Sequence, residues 1–122
     1  MSSYKDGNAI LNLSFALAMD VMRYCDTLEE MRKYSMARQL WRSGTAIGAM
    51  VQEAQNAESL SDFIHKMKIA GKEADETMYW IRLCKQSAGY PVIDPIMEIA
   101  TGVSKLLNAI ISSSKRKLNE DR

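Results

Sequence analysis

The densest chemistry in this 122-residue chain lies in HKMKIAGKEADETMYWIRLC, residues 65–84, where His65, Glu73 and Glu76 stand among apolar residues. Two kinds of chemistry need carboxylates framed in that way. One is a di-metal centre in the core of a helical bundle, which takes four carboxylates and two Glu-x-x-His motifs on facing helices. Asp62 with His65 gives one loose approximation, but the chain has a single histidine, so no metal ligands are assigned. The other is carboxylate–guanidinium pairing, with Glu73 or Glu76 held by Arg38 or Arg42 within one molecule or between two. Other catalytic constellations are absent from the sequence. It has no Gly-rich loop between a strand and a helix and no Cys-x-x-Cys pair, and His65 lacks an obvious nucleophile partner. Ser112, Ser113 and Ser114 read as helix-end residues. The chain therefore reads as a non-enzyme that uses no cofactor and no metal.

The elements that position these residues are helices. Both prolines, Pro91 and Pro95, fall in one short connection, AGYPVIDP, and no strand pattern survives inspection. Gly89 can end a helix in the left-handed conformation, and Pro91 blocks continuation. Asp94 followed by Pro95 suits the cap and first position of the next helix. Ser59 with Asp62 three residues on resembles a capping box and sets a helix start near residue 60. The first turn is placed around Thr27 to Glu29, where a charged segment separates two periodic patterns. Helices are predicted over roughly 8–26, 30–56, 60–88 and 95–117. The expected fold is all-α: one domain over residues 1–122, an up-down-up-down antiparallel four-helix bundle assembled as a homo-oligomer.

Composition agrees with one compact domain, since 47% of residues are hydrophobic and 25% charged. The start, MSSYKDGNA, lacks a basic region followed by an apolar run, and no segment approaches the roughly 20 apolar residues of a membrane span. A cytoplasmic protein with no membrane partner is expected. Cys25 and Cys84 fall in helical patterns and read as buried free thiols.

Phasing the helices at about 100° per residue separates their faces. The fourth is simply amphipathic, with Ile96, Ile99, Ala100, Val103, Leu106, Leu107, Ile110 and Ile111 on one side. The first carries Ile10, Leu11, Leu13, Phe15, Leu17, Ala18, Val21, Met22 and Cys25 over most of its circumference, more than one bundle core consumes. Self-association would cover the surplus. On the second helix Gly44 and Gly48 line a flank beside Trp41, and each glycine costs roughly 1 kcal/mol relative to alanine. Small residues four apart admit another backbone, either inside the bundle or from another subunit, and a neighbouring Trp suits an interface. Trp41, Gly44, Gly48, Glu73, Glu76 and Trp80 are thus the candidate packing or oligomer-interface residues.

Net charge is only +1, from sixteen Lys and Arg against fifteen Asp and Glu, and predicts no partner by itself. Its distribution is uneven: Arg32, Lys33, Arg38 and Arg42 form one run, and Lys115, Arg116 and Lys117 another. These seven are the candidate phosphate contacts of a nucleic-acid-binding protein.

The pattern YSMARQLWRSGTAIGAMVQEA, then ESLSDFIHKMKIAGKEADETMYWIRLC, resembles the bacterial four helix bundle family of ribosomal RNA intervening-sequence proteins, some of which are labelled ribosomal proteins. The most specific part is Gln39-Leu40-x-Arg42-Ser43, with Ile47, Glu53, Phe63, Glu73-x-x-Glu76-Thr77 and Trp80. Where that family usually carries an Asn and a Gly, this chain has Met50 and Ala54. The resemblance implies a four-helix bundle, a homopentamer and no established enzymatic activity. A distantly similar group, the accessory proteins of diversity-generating retroelements, engages nucleic acid through a basic surface. Expected partners are therefore further copies of the chain, RNA or DNA, and alternatively an unidentified protein bound by a scaffold that holds no nucleic acid.

Overall fold

The computed structural model describes residues 8–121. It contains four helices, α1 (Ala9–Glu30), α2 (Tyr34–Ala54), α3 (Leu60–Gln86) and α4 (Asp94–Glu120). Each packs on the helix before and after it in the chain, and α4 closes the ring on α1. With short connections, this is the up-down-up-down antiparallel bundle. Among the described residues no helix is long and apolar enough to cross a membrane.

The first turn differs from the sequence expectation. α1 continues through Thr27–Glu29 because Leu28 extends its apolar stripe and is wholly buried. The chain reverses at Met31–Lys33, with Arg32 in the left-handed region at φ 62°. Lys33 N donates to Leu28 O at 2.8 Å and Arg32 N to Glu29 O at 2.9 Å, the paired bonds that close a helix over a left-handed residue. A glycine usually occupies that place, and its absence hid the turn from the sequence. At the next connection Gly89 does take the left-handed form, at φ 83°. Ser59 caps α3 as expected, its side chain accepting from Asp62 N at 3.0 Å. Asp94 departs from its expected role. The cap position belongs to Ile93, whose side chain is buried, and the Asp94 carboxylate instead accepts from Lys85 Nζ at 2.7 Å.

The core is built from one apolar stripe of each helix, on α1 and α4 drawn from the faces that the sequence marks. Leu17, Val21 and Leu28 of α1 meet Leu40, Ile47 and Val51 of α2, Met67 and Ile81 of α3, and Val103 and Leu107 of α4. On α3 the buried line runs through Ile64 and Thr77, while Phe63 and Met78 pack at its margin. The apolar surplus of α1 is partly used inside the bundle. Leu13 lies 3.5 Å from where a Cβ on Gly102 would sit, so α4 takes that flank. Phe15 remains 67% exposed.

Gly44 and Gly48 face α1. A Cβ on Gly44 would stand 2.8 and 2.9 Å from the two Val21 methyls, closer than such atoms approach. At Gly48 the nearest atoms, Ser14 O and Oγ, are 3.5 Å away, an ordinary contact. What approaches α2 so closely is therefore a helix of the same chain, with the steric demand concentrated at Gly44.

Candidate functional site

A polar network closes the α2–α3 seam. Arg42 reaches across α2 to both carboxylates of α3: its Nη1 donates to Glu73 Oε1 at 3.2 Å, and its Nη2 to Glu76 Oε2. Glu76 Oε2 also accepts from Trp80 Nε1 at 3.1 Å. Glu73 and Glu76 share one side of α3 because they are three residues apart, and Trp80 follows Glu76 by four. The hydrogen bond to Glu76, and the charges of both carboxylates, raise the Arg42 pKa. The hydrogen bonds from Arg42 and then Trp80 hold the Glu76 carboxyl below its usual range. Both shifts favour the charged forms that the Arg42–Glu76 pair needs.

Beneath this layer, Ser43 and Thr77 are fully buried, their hydroxyls 2.9 Å apart. Thr77 has one proton and a shorter contact, 2.7 Å, to its own helix at Glu73 O. Ser43 therefore supplies the proton between the hydroxyls. Among the described residues no buried side-chain nitrogen or oxygen lacks a partner.

On the outer side of α2, a groove of about 620 Å³ is lined by Trp41, Arg38, Thr45 and Ala49 and, from α1, by Asp26 and Glu29. Small residues of α2, Ala37, Thr45, Ala46 and Ala49, leave room for it. Trp41 is 40% exposed, and Tyr34 two turns earlier is 49% exposed. Phe15 lies on the flank of α1 that turns toward α2, so it extends the same surface.

The structure does not bring the predicted cations together. The α1–α2 turn and the α3–α4 connection share one end of the bundle, where Tyr24 Oη donates to Pro91 O at 2.8 Å. Arg32 and Arg38 are exposed at that end, Lys33 Nζ lies 4.4 Å from the Tyr90 ring centroid, and Arg42 is engaged by its two carboxylates. Lys115, Arg116 and Lys117 are exposed on the last turns of α4, at the opposite end. A helix of 27 residues spans roughly 40 Å, so the two clusters are separate surfaces.

The thiols are enclosed. Burial, with smaller contributions from the neighbouring Cys84, Asp26 and Glu29, pushes the Cys25 thiol up to about 12, and its Sγ contacts Ala37 O at 3.4 Å. Burial likewise raises Cys84. Neither is a nucleophile at neutral pH, since that chemistry needs the thiolate. Among the described residues no group of three or more His, Cys, Asp or Glu side chains is placed to hold a metal ion.

Sequence reasoning quoted Ser43 and Thr77 only within the family pattern, without a role, and gave none to Asp26 and Glu29. Thr77 had a signal, because it falls on the helical phase of Ala70, Ala74 and Ile81. Asp26 and Glu29 had none, since their relation to Arg38 exists only after α1 folds onto α2.

Known proteins place this architecture. No curated protein matches the chain. A crystal structure of a protein of unknown function from the S23 ribosomal protein family of Bacteroides thetaiotaomicron is 36% identical, covering 84% of this chain and 97% of that one, with a TM-score of 0.78. The family model for the 23S rRNA-intervening sequence protein matches residues 7–109. Sequence match, four-helix architecture and structural likeness agree, and the chain belongs to the 23S rRNA-intervening sequence protein family.

Proposed function

We propose that this protein is a non-catalytic, self-assembling scaffold that carries nucleic acid, with assembly and cargo on different surfaces. The observation that carries the reading is the segregation of its surface chemistry. The outer face of α2 combines an exposed Trp41 with small residues and carries both signs of charge: Arg38 lines the groove together with Asp26 and Glu29, and Arg42 is taken up by Glu73 and Glu76. Such a face suits a second copy of the chain, with Trp41 as its anchor. A ring of copies, five by resemblance, would multiply a modest cationic surface elsewhere on each subunit, and repeated phosphate contacts strengthen binding. The family's name associates it with 23S rRNA, a structured RNA.

Light scattering on the purified protein tests assembly. The native chain is expected to elute as an oligomer, and Ala49→Arg, which fills the exposed groove floor without touching the core, is expected to release monomers. A native monomer at tens of micromolar would remove the assembly half of the reading. Nucleic-acid binding is tested separately by fluorescence anisotropy with a labelled RNA hairpin. Absence of binding at low salt by an intact oligomer would leave a scaffold for protein partners.

A further inference from the structure

The charged side chains of this protein divide into paired and unpaired ones. The ion pairs are spread along the bundle: Arg23 with Asp20 on α1, Arg42 with Glu73 and Glu76 across the α2–α3 seam, Lys85 with Asp94 at the turn end, and Lys66 with Glu53 at the opposite end. Lys68, Lys72, Lys115, Arg116 and Lys117 take no part in any ion pair among the described residues, and all five are exposed, as are the unpaired Arg32, Arg38, Arg82 and Lys105.

The fold brings four of these, Lys68, Lys72, Lys115 and Arg116, together from two distant stretches of sequence, while Lys117 falls on the flank of α4 that turns toward α1. A Cβ on Gly71 would sit 3.9 Å from Ile111 Cδ1, which sets the register of the antiparallel α3–α4 pair. In that register Lys68 lies level with the stretch around Ser114, within about one turn of Lys115. Lys72 follows Lys68 by four residues, on the same side of α3. Lys115 follows Ile111 by four, on the flank of α4 that turns toward α3, and Arg116 points away from the core. Lys68 and Lys72 of α3 and Lys115 and Arg116 of α4 thus form one surface, facing away from the α2 groove, with the exposed Asp75 at its margin on α3.

We infer that this α3–α4 surface, and not the Arg32–Arg42 run, is where the protein holds nucleic acid, and that the nucleic acid is a duplex gripped by its phosphates. The inference rests on the nucleic-acid half of the reading above and assigns its site and its class of ligand. Three features select the ligand. Free lysines at helical spacing supply the point charges that release counterions from a polyanion. The exposed residues between them, Asn108, Ser112 and Ser113, add neutral donors to phosphate oxygens. The exposed large apolar side chains are not interleaved with these cations: Phe15, Met31, Tyr34, Trp41 and Val92 lie on other segments, and on α3 Tyr79 and Leu83 come about two and three turns after Lys72, toward the connection to α4. A single strand would want aromatic platforms for its bases, and a membrane surface would want apolar residues beside the cations. A regular double-helical backbone needs neither.

Anisotropy titrations with an RNA hairpin, its unstructured permutation and a DNA duplex test this across sodium chloride concentration, using native protein and two charge-neutralised variants. In Lys68→Gln/Lys72→Gln/Lys115→Gln/Arg116→Gln, affinity for the duplexes is expected to fall at least tenfold, and the salt slope to drop by about one for each lost phosphate contact. Arg32→Gln/Arg38→Gln is expected to stay within twofold of native. All six positions are exposed, and circular dichroism would establish that both variants fold. The reverse ranking of the variants would overturn this site while leaving nucleic-acid binding in place. Preference for the unstructured strand would overturn the duplex assignment. Binding to phosphatidylserine vesicles but to no nucleic acid would overturn both this inference and the reading it rests on.

Discussion

The two flanks of α3 are built from similar residues and end in opposite states. On the flank toward α2, Glu73 and Glu76 meet Arg42, Trp80 adds its indole donor, and Thr77 reaches Ser43 beneath them. On the side toward α4, Lys68 and Lys72 are unpaired and lie level with the end of α4 that carries Lys115 and Arg116, with Asp75 exposed one turn further on. The same helix is electrostatically closed on one side and open on the other. A closed flank specifies how helices register within the chain; an open one invites an outside polyanion. Density of charge in a sequence therefore says little until partners are known.

The closed side is expected to break most sharply at its buried layer. Thr77→Val removes the partner of Ser43, leaving a hydroxyl fully buried, and is expected to cost about 1–3 kcal/mol in denaturant unfolding. Adding Ser43→Ala should recover most of that loss, because two apolar groups of similar shape need no partner. A double variant as unstable as the single would mean that Thr77 acts through packing alone.

The seam between α1 and α2 should answer with a smaller, signed effect. Gly44→Ala drives a methyl into Val21, which is fully buried and β-branched, so overpacking of about 1–3 kcal/mol outweighs the helix-propensity gain of about 1. Gly48→Ala meets only ordinary contacts, so the propensity gain should survive and raise the unfolding midpoint. Opposite shifts in the two variants would sharpen the distinction; equal shifts would break it.

The smallest effect on stability is expected at the exposed layer. Arg42→Ala leaves Glu73 and Glu76 as like charges three residues apart, and its unfolding midpoint should fall less than that of Thr77→Val. Arg116→Ala touches no carboxylate and should leave it unchanged. Light scattering on the same pair separates roles, since Arg42→Ala is expected to disturb assembly more than Arg116→Ala does.

Much of the fold was legible in residue types and spacing. Alternation at helical period marked four helices, Gly89 and Pro91 marked the third connection, and Ser59 marked the start of α3, because each depends on interactions within a few residues. The buried thiols were legible for the same reason, lying on apolar stripes. The turn after Glu30 was not, because Arg32 takes a left-handed conformation that no glycine announces and the bonds around it impose.

The candidate surfaces were legible only as residue types. Sequence supplied Arg42, Glu73 and Glu76 and offered Arg38 or Arg42 as partner; it could not choose, since the pairs join residues 31 and 34 positions apart. Nor could it join Lys68 and Lys72 to Lys115 and Arg116, or divide the cations between two ends of the bundle. By itself the sequence determined the helices and their faces, because hydrophobic periodicity and local capping act within one segment. Only the tertiary structure decided which charges are neutralised and which stay free, because ion pairing depends on distances between segments that packing alone establishes.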